Sequence, residues 1–184
     1  NLDKLDDKLA KIFRVWFEIK LSEIEPEQAQ DIAVILSDFS NLIKQFPLGS
    51  RAINLEMAIT GFEIGLTTFT REAFPEEWGI IQNNLGNGYK DRILGNRAEN
   101  MEQAIACYQN ALRVYTREAF PQQWSTINNN LGAVYSKRIR GDQADNLEMA
   151  LQAYHCALEV RTKEDFPIDW AATQSNLAIA YSDR

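Results

Sequence analysis

Three short motifs return in one register, 46 residues apart, and no other feature constrains the fold as strongly. Phe74-Pro75-x-x-Trp78 recurs as Phe120-Pro121-x-x-Trp124 and Phe166-Pro167-x-x-Trp170. Asn84-Leu85-Gly86-x-x-Tyr89 recurs as Asn130-Leu131-Gly132-x-x-Tyr135 and Asn176-Leu177-Ala178-x-x-Tyr181. Asn54-Leu55-Glu56-x-Ala58 recurs as Asn100-Met101-Glu102-x-Ala104 and Asn146-Leu147-Glu148-x-Ala150. A fixed period of this size marks an array of like supersecondary units stacked on one another.

Each unit reads as two helices. The first opens at a proline, which suits a helix's first position because the N–H it lacks would be unpaired there. Phe74 and Trp78, four apart across that start, can pack together and set the angle of the incoming chain. Gly95 and Gly141 fit left-handed C-terminal caps, where a side chain would clash. The second helix is expected to start at Asn100 or Asn146, read as N-caps, with Glu102 or Glu148 suiting the dipole. Ala104, Tyr108, Ala111 and Leu112, repeated as Ala150, Tyr154, Ala157 and Leu158, fall on one helical face.

Small residues then decide the packing. Gly86, Gly132, Ala104 and Ala150 let neighbouring backbones approach, and Tyr89 and Tyr108 fill the volume beside them. One hairpin cannot bury its apolar stripe alone, so the expected fold is all-α, a right-handed superhelical stack of antiparallel hairpins. Eight helices are predicted, over 2–22, 27–46, 54–72, 75–93, 100–118, 121–139, 146–164 and 167–183. Shifting back 46 residues sets Phe39, Ser40 and Gly49 at the places of Leu85, Gly86 and Gly95, so 27–46 is a degenerate first helix. Leu5, Leu9, Ile12, Phe13, Trp16 and Phe17 recur at helical spacing and read as a capping helix. The division is therefore 1–50 for the cap and degenerate helix, and 51–184 for the repeats, the last of them truncated.

Composition narrows the function. A net charge of −7 and an isoelectric point near 4.8 argue against nucleic acid and anionic membrane surfaces as partners. No apolar run reaches membrane-spanning length, and no cleavable signal pattern is present. Cys107 and Cys156 read as reduced thiols, which suits a cytoplasmic protein. With Asn1 first and Arg184 ending partway through a repeat, the chain reads as an excised piece.

Leu85-Gly86-x-x-Tyr89 followed by Ala104-x-x-x-Tyr108-x-x-Ala111-Leu112 resembles the tetratricopeptide-repeat signature. The unit here is longer than the usual 34 residues or so, with a longer first helix and turn. The stretch Arg138-Ile139-Arg140-Gly141-Asp142-x-Ala144-Asp145-Asn146-Leu147-Glu148-x-Ala150 is similar to the long repeats of cyanobacterial proteins in which such arrays precede a caspase-like CHAT domain. The resemblance covers about residues 50–184 and implies a scaffold that holds another protein or peptide.

Enzyme chemistry finds no constellation. His155 is the single histidine and sits beside Tyr154, so it reads as a solvent-edge side chain. No zinc spacing is present, and Gly86-Asn87-Gly88 lacks the strand and further glycines of a phosphate loop. No catalytic residue, metal or cofactor is expected. In tetratricopeptide arrays first helices line a concave groove, which the resemblance assigns to Asn84, Asn130 and Asn176. A side-chain amide donates and accepts, so such a line can hold peptide backbone. Asparagines at the similar position form a ladder of this kind in O-linked N-acetylglucosamine transferase and kinesin light chain. The other reading is that each amide bonds the neighbouring hairpin and sets the stacking. Flanking residues are Ile80, Asn83, Asn87, Lys90 and Asp91 in one unit. Thr126, Asn129, Ala133, Ser136 and Lys137 follow in the next, and Ala172, Ser175, Ile179 and Ser182 in the last. Lys90 and Lys137 are candidates to receive a carboxylate, while the Phe-Pro-x-x-Trp series reads as core.

The expected function is non-enzymatic peptide or protein binding. The alternative is a structural spacer or oligomerisation array attached to a separate effector domain. Trp170, Leu177, Ala178 and Tyr181 are expected on an uncovered apolar side of the last helix, so that the chain either self-associates through its C-terminal end or frays there.

Overall fold

A computed structural model describes the backbone from residue 2 onward, and side chains from residue 9 with Ser22 excepted. The sequence-predicted cap residue Leu5 lies outside the described side chains. Among the described residues there are eight helices and no strand. They are α1 (Leu2–Glu23), α2 (Pro26–Gln45), α3 (Arg51–Thr68), α4 (Pro75–Asp91), α5 (Arg97–Ala111), α6 (Pro121–Tyr135), α7 (Gln143–Leu158) and α8 (Pro167–Ser182). The fold is all-α, and the predicted number of helices is found. The chain forms two compact units, Asn1–Arg97 and Ala98–Arg184.

Prolines set the first-helix starts. Pro75, Pro121 and Pro167 each occupy the first position of a helix, behind a phenylalanine N-cap. The connection before each is a compact turn closed by threonine. Thr70, Thr116 and Thr162 accept the backbone N–H of Phe74, Phe120 and Phe166 at 2.9, 2.9 and 3.0 Å through their carbonyls. Their hydroxyls accept N–H groups one residue earlier, from Ala73, Ala119 and Asp165. This turn corrects the expected ends at 72, 118 and 164. The second helices stop at Thr68, Ala111 and Leu158, because the threonine bonds give the chain another way to satisfy its backbone.

The starts of the second helices are corrected as well. α3, α5 and α7 begin at Arg51, Arg97 and Gln143, three residues before the asparagines read as N-caps. Asp142 caps α7, its carboxylate accepting from the N–H of Ala144 and Asp145 at 2.8 and 3.2 Å. Asn54, Asn100 and Asn146 are buried within the first turn. The Asn54 amide reaches back to donate to the carbonyls of Phe46 and Leu48, at 3.2 and 3.0 Å. Asn146 donates to Arg140 at 2.8 Å and accepts from Arg138 at 3.2 Å. Asn54 and Asn146 thus pin the preceding loop instead of capping the helix.

Gly95 and Gly141 take the expected positive φ, +79° and +84°. They lie in the loop beyond the helix end, α4 having closed at Arg92 and α6 at Ser136, so they turn the connection rather than cap the helix. Gly49 has the same conformation at φ +81°, as the 46-residue shift requires.

In the first unit α2 packs on α3, and α3 also meets α1 and α4. Gly61 lies against Ser40, and Gly88 against Ile59. Phe13 of α1 reaches Phe39 of α2 with ring centroids 5.7 Å apart, while Ile12, Trp16 and Ile19 stay at least half exposed. In the second unit α6 packs on α7 and α7 on α8. Ala150, Leu151, Tyr154, Leu177 and Ala180 form a core there, with Tyr135 and Leu158 against it. Gly132 faces the ring of Tyr154, so the room it leaves is taken by a side chain rather than by a neighbouring backbone. Phe74 and Phe120 find their ring partners one turn upstream, in Phe69 and Tyr115, edge-on at 5.4 and 5.1 Å.

Candidate functional site

Repeated polar contacts brace the hairpins. Arg92 grips Glu56 with two hydrogen bonds, of 2.7 and 2.6 Å. Arg138 grips Glu102 in the same way, at 2.8 and 2.7 Å. Arg184 and Glu148 repeat the pair more loosely at 3.5 Å. Each fork is planar and charge-assisted, the strong form of such a bond. The hydrogen bond from Arg138 holds the Glu102 carboxyl below the usual range. Arg92 and Arg138 also stack over Tyr89 and Tyr135 at about 6 Å. The hydroxyl of Tyr89 donates to Glu63, that of Tyr135 accepts from Gln109 at 3.2 Å, and that of Tyr181 lies 3.1 Å from His155. His155 is exposed, at the solvent edge where the sequence put it.

The residues proposed for the groove stand on α4, α6 and α8, except Lys137, which lies in the turn after α6 ends at Tyr135. On α4, Asn83, Asn84, Asn87 and Lys90 are half-buried, with Lys90 3.9 Å from Asp91. In the second unit Asn129, Asn130 and Asn176 are half-buried, as is Ala133, while Lys137, Ser175 and Ile179 are exposed. Asn83, Asn87 and Asn130 have partners within the molecule. Asn176 and Asn129 come together, the Asn176 amide donating to the Asn129 carbonyl oxygen at 3.5 Å. At this point the amides bond the neighbouring hairpin, although each keeps hydrogen-bonding capacity beyond that one contact.

A residue that the motif comparison passed over joins this network. Arg161, in the connection between α7 and α8, donates to the hydroxyls of Thr173 and Thr126, both at 3.0 Å. Thr173 in turn lies 3.2 Å from Asn129 and 2.8 Å from the carbonyl of Asp169. Arg161 is buried, and burial lowers its pKa below that of an ordinary guanidinium, with Asp169 acting in the opposite sense. The sequence held a signal for it: Arg161 occupies the register of Phe69 and Tyr115, and Thr173 that of Ile81 and Ile127.

Among the described residues no group of histidine, cysteine and carboxylate side chains is arranged to hold a metal ion, and no helix is long and apolar enough to cross a membrane. Burial pushes the Cys156 thiol up, away from thiolate reactivity. The last helix corrects one expectation. Leu177 is covered by α7, and the large apolar side chains left exposed on α8 are Ile168, Ile179 and Tyr181. Comparison with protein-family models, with curated proteins and with solved structures returned no match.

Proposed function

We propose that the chain is a non-enzymatic scaffold of the tetratricopeptide kind, which holds an extended segment of a partner protein along its first helices. The observation that carries this reading is the amide-rich surface of α6 and α8, on which Asn129, Asn130 and Asn176 are half-buried while Ser175 and Ile179 of α8, and Lys137 in the turn after α6, are exposed. Half-buried amides are held in place by the fold and exchange hydrogen bonds with peptide backbone regardless of its sequence. Asn83, Asn84, Asn87 and Lys90 offer the same chemistry on α4. Neither nucleic acid nor a membrane suits the acidic chain, and the free cysteines fit a cytoplasmic setting. Within the resemblance to cyanobacterial arrays, this is the recognition arm of a protein whose effector is a CHAT-like protease domain.

One observation favours a second reading, a structural spacer. The Asn176–Asn129 contact uses one ladder amide, that of Asn176, to join hairpins through a flanking one. Amide hydrogen exchange separates the two. With a partner isolated by affinity capture, the scaffold reading expects new protection concentrated on 121–135 and 167–182. Protection confined to the exposed apolar ends, with α6 and α8 unchanged, would point to the spacer.

A further inference from the structure

The half-buried arginines Arg92 and Arg138 each take a two-point carboxylate grip at 2.6–2.8 Å. Arg161 is buried more deeply, 7% exposed, and has no such grip. Its hydrogen bonds run to two neutral hydroxyls, and the nearest carboxylate, Asp169, lies 4.0 Å away with its side chain 57% exposed. A guanidinium taken out of water is unfavourable unless an anion with well-made hydrogen bonds accompanies it. The two earlier units avoid the problem, since the same register holds the buried rings Phe69 and Tyr115 beside buried Ile81 and Ile127. Only the unit with the buried arginine also exchanges its isoleucine for a threonine, and the pair changes an apolar joint into a polar one.

Beside Arg161 is a cavity of about 120 Å³, lined by Gln122, Ser125, Thr126, Phe166 and Asp169 as well. Gln122 and Ser125 stand near the start of α6, and Asp169 near the start of α8. Two helix N-termini therefore meet at the cavity, the end of a helix that favours negative charge. Asp169 is itself explained by that dipole, and it competes with any incoming anion.

We infer that this cavity is a carboxylate-binding pocket, in which Arg161, with the hydroxyl of Thr126 and the side-chain amide of Gln122, receives the acidic side chain of a bound segment, while Ser125 donates to the Gln122 carbonyl at 2.8 Å and lines the wall. Through Thr173 and Asn129 the pocket adjoins the amide surface of α6 and α8, so it supplies specificity to the site described under Proposed function and rests on that reading for the source of the acid. A guanidinium already held by Thr126 and Thr173 presents its remaining N–H groups in a fixed geometry, which suits a planar carboxylate.

The test uses amide and arginine side-chain NMR of the whole chain, titrated with N-acetylglutamate amide, N-acetylalanine, inorganic phosphate and sodium chloride. Saturable shifts at the Arg161 side chain and at Ser125 and Thr126 are expected with N-acetylglutamate amide, and weaker ones with N-acetylalanine, whose acid is a chain terminus. D169N should tighten binding by removing the competing carboxylate. R161Y/T173I rebuilds the joint of the preceding unit, stays folded, and should lose about tenfold or more in affinity, as removal of charged hydrogen bonds does. Absence of saturation in wild type, equal binding by the double variant, or a response to phosphate or chloride alone would each overturn the pocket. Saturation in D169N but not in wild type would too, since Asp169 would then be the resident counter-ion. N-acetylalanine binding as tightly as the side-chain acid would overturn the assignment to a side chain. Because the probes need no partner protein, failure of the peptide reading leaves these outcomes unaffected.

Discussion

Replacing Gly132 by alanine sets two effects of opposite sign against each other. Within a helix, alanine is preferred to glycine by about 0.8–1 kcal/mol, so an unconstrained site would be stabilised. At this position the new Cβ would lie 2.6, 2.7 and 2.9 Å from three ring carbons of Tyr154. Ordinary carbon contacts are about 3.5–4.0 Å, so the ring or the helix must move. Tyr154 is 2% exposed among Ala150, Leu151, Leu177 and Ala180, and a rigid ring so enclosed has no alternative position. Overpacking of this kind costs about 1–3 kcal/mol, which outweighs the propensity gain. Set against the propensity gain, G132A should be destabilised by up to about 2 kcal/mol, and G132L by more again. Thermal and urea melts followed by circular dichroism measure it, with a fall of a few degrees expected. G65A is the internal control, since its Cβ meets only the side-chain tips of Ile81 and Ser37, at 3.2 and 3.3 Å, and should be close to neutral. Trimming the ring in G132A/Y154L should recover part of the loss. A G132A variant that melts above wild type would refute the packing argument.

Three further outcomes follow from the same structure. Because the Arg138 hydrogen bond lowers the folded pKa of Glu102, its contribution is complete above the ordinary value of 4.5 and is lost as pH falls through the lowered one; E102Q should be less stable at neutral pH and show a shallower acid loss in melts across that range. N146A should cost about 1–3 kcal/mol by leaving the Arg140 carbonyl unpaired in the loop before α7, measurable by urea denaturation. The exposed Ile168, Ile179 and Tyr181 should promote self-association through α8, so I168S/I179S should lower the weight-average mass in light scattering at high concentration, and a chain already monomeric there would rule this out.

The first helices were legible in the sequence because proline fixes the backbone where they begin, and the 46-residue register carried that signal from Pro75 to Pro167. The second helices were legible in type but not in extent. Asparagine bonds locally in several ways, and at Asn54 and Asn146 the loop carbonyls won its amide over the helix's own N–H groups. Residues such as Arg71, Glu72 and Ala73 are good helix formers, so nothing in their propensity announced the turn that Thr70 closes. The groove asparagines were found by their likeness from one unit to the next. Likeness between units does not mark a residue that matters through its difference, and Arg161 replaces a ring that two units share. The contact between Asn176 and Asn129 joins residues 47 apart, and its existence depends on how α6 and α8 lie together, which no local pattern specifies.

If the amides of α6 and α8 hold a partner's backbone, their removal must weaken binding without unfolding the chain. Isothermal calorimetry with a captured partner segment tests it most directly, comparing wild type with N130A/N176A and recording thermal melts of both. An affinity loss of about 1–3 kcal/mol is expected with the fold retained, as when buried hydrogen bonds to a peptide are removed. Unchanged affinity in a variant that melts at a lower temperature would contradict it and assign those amides to stacking alone.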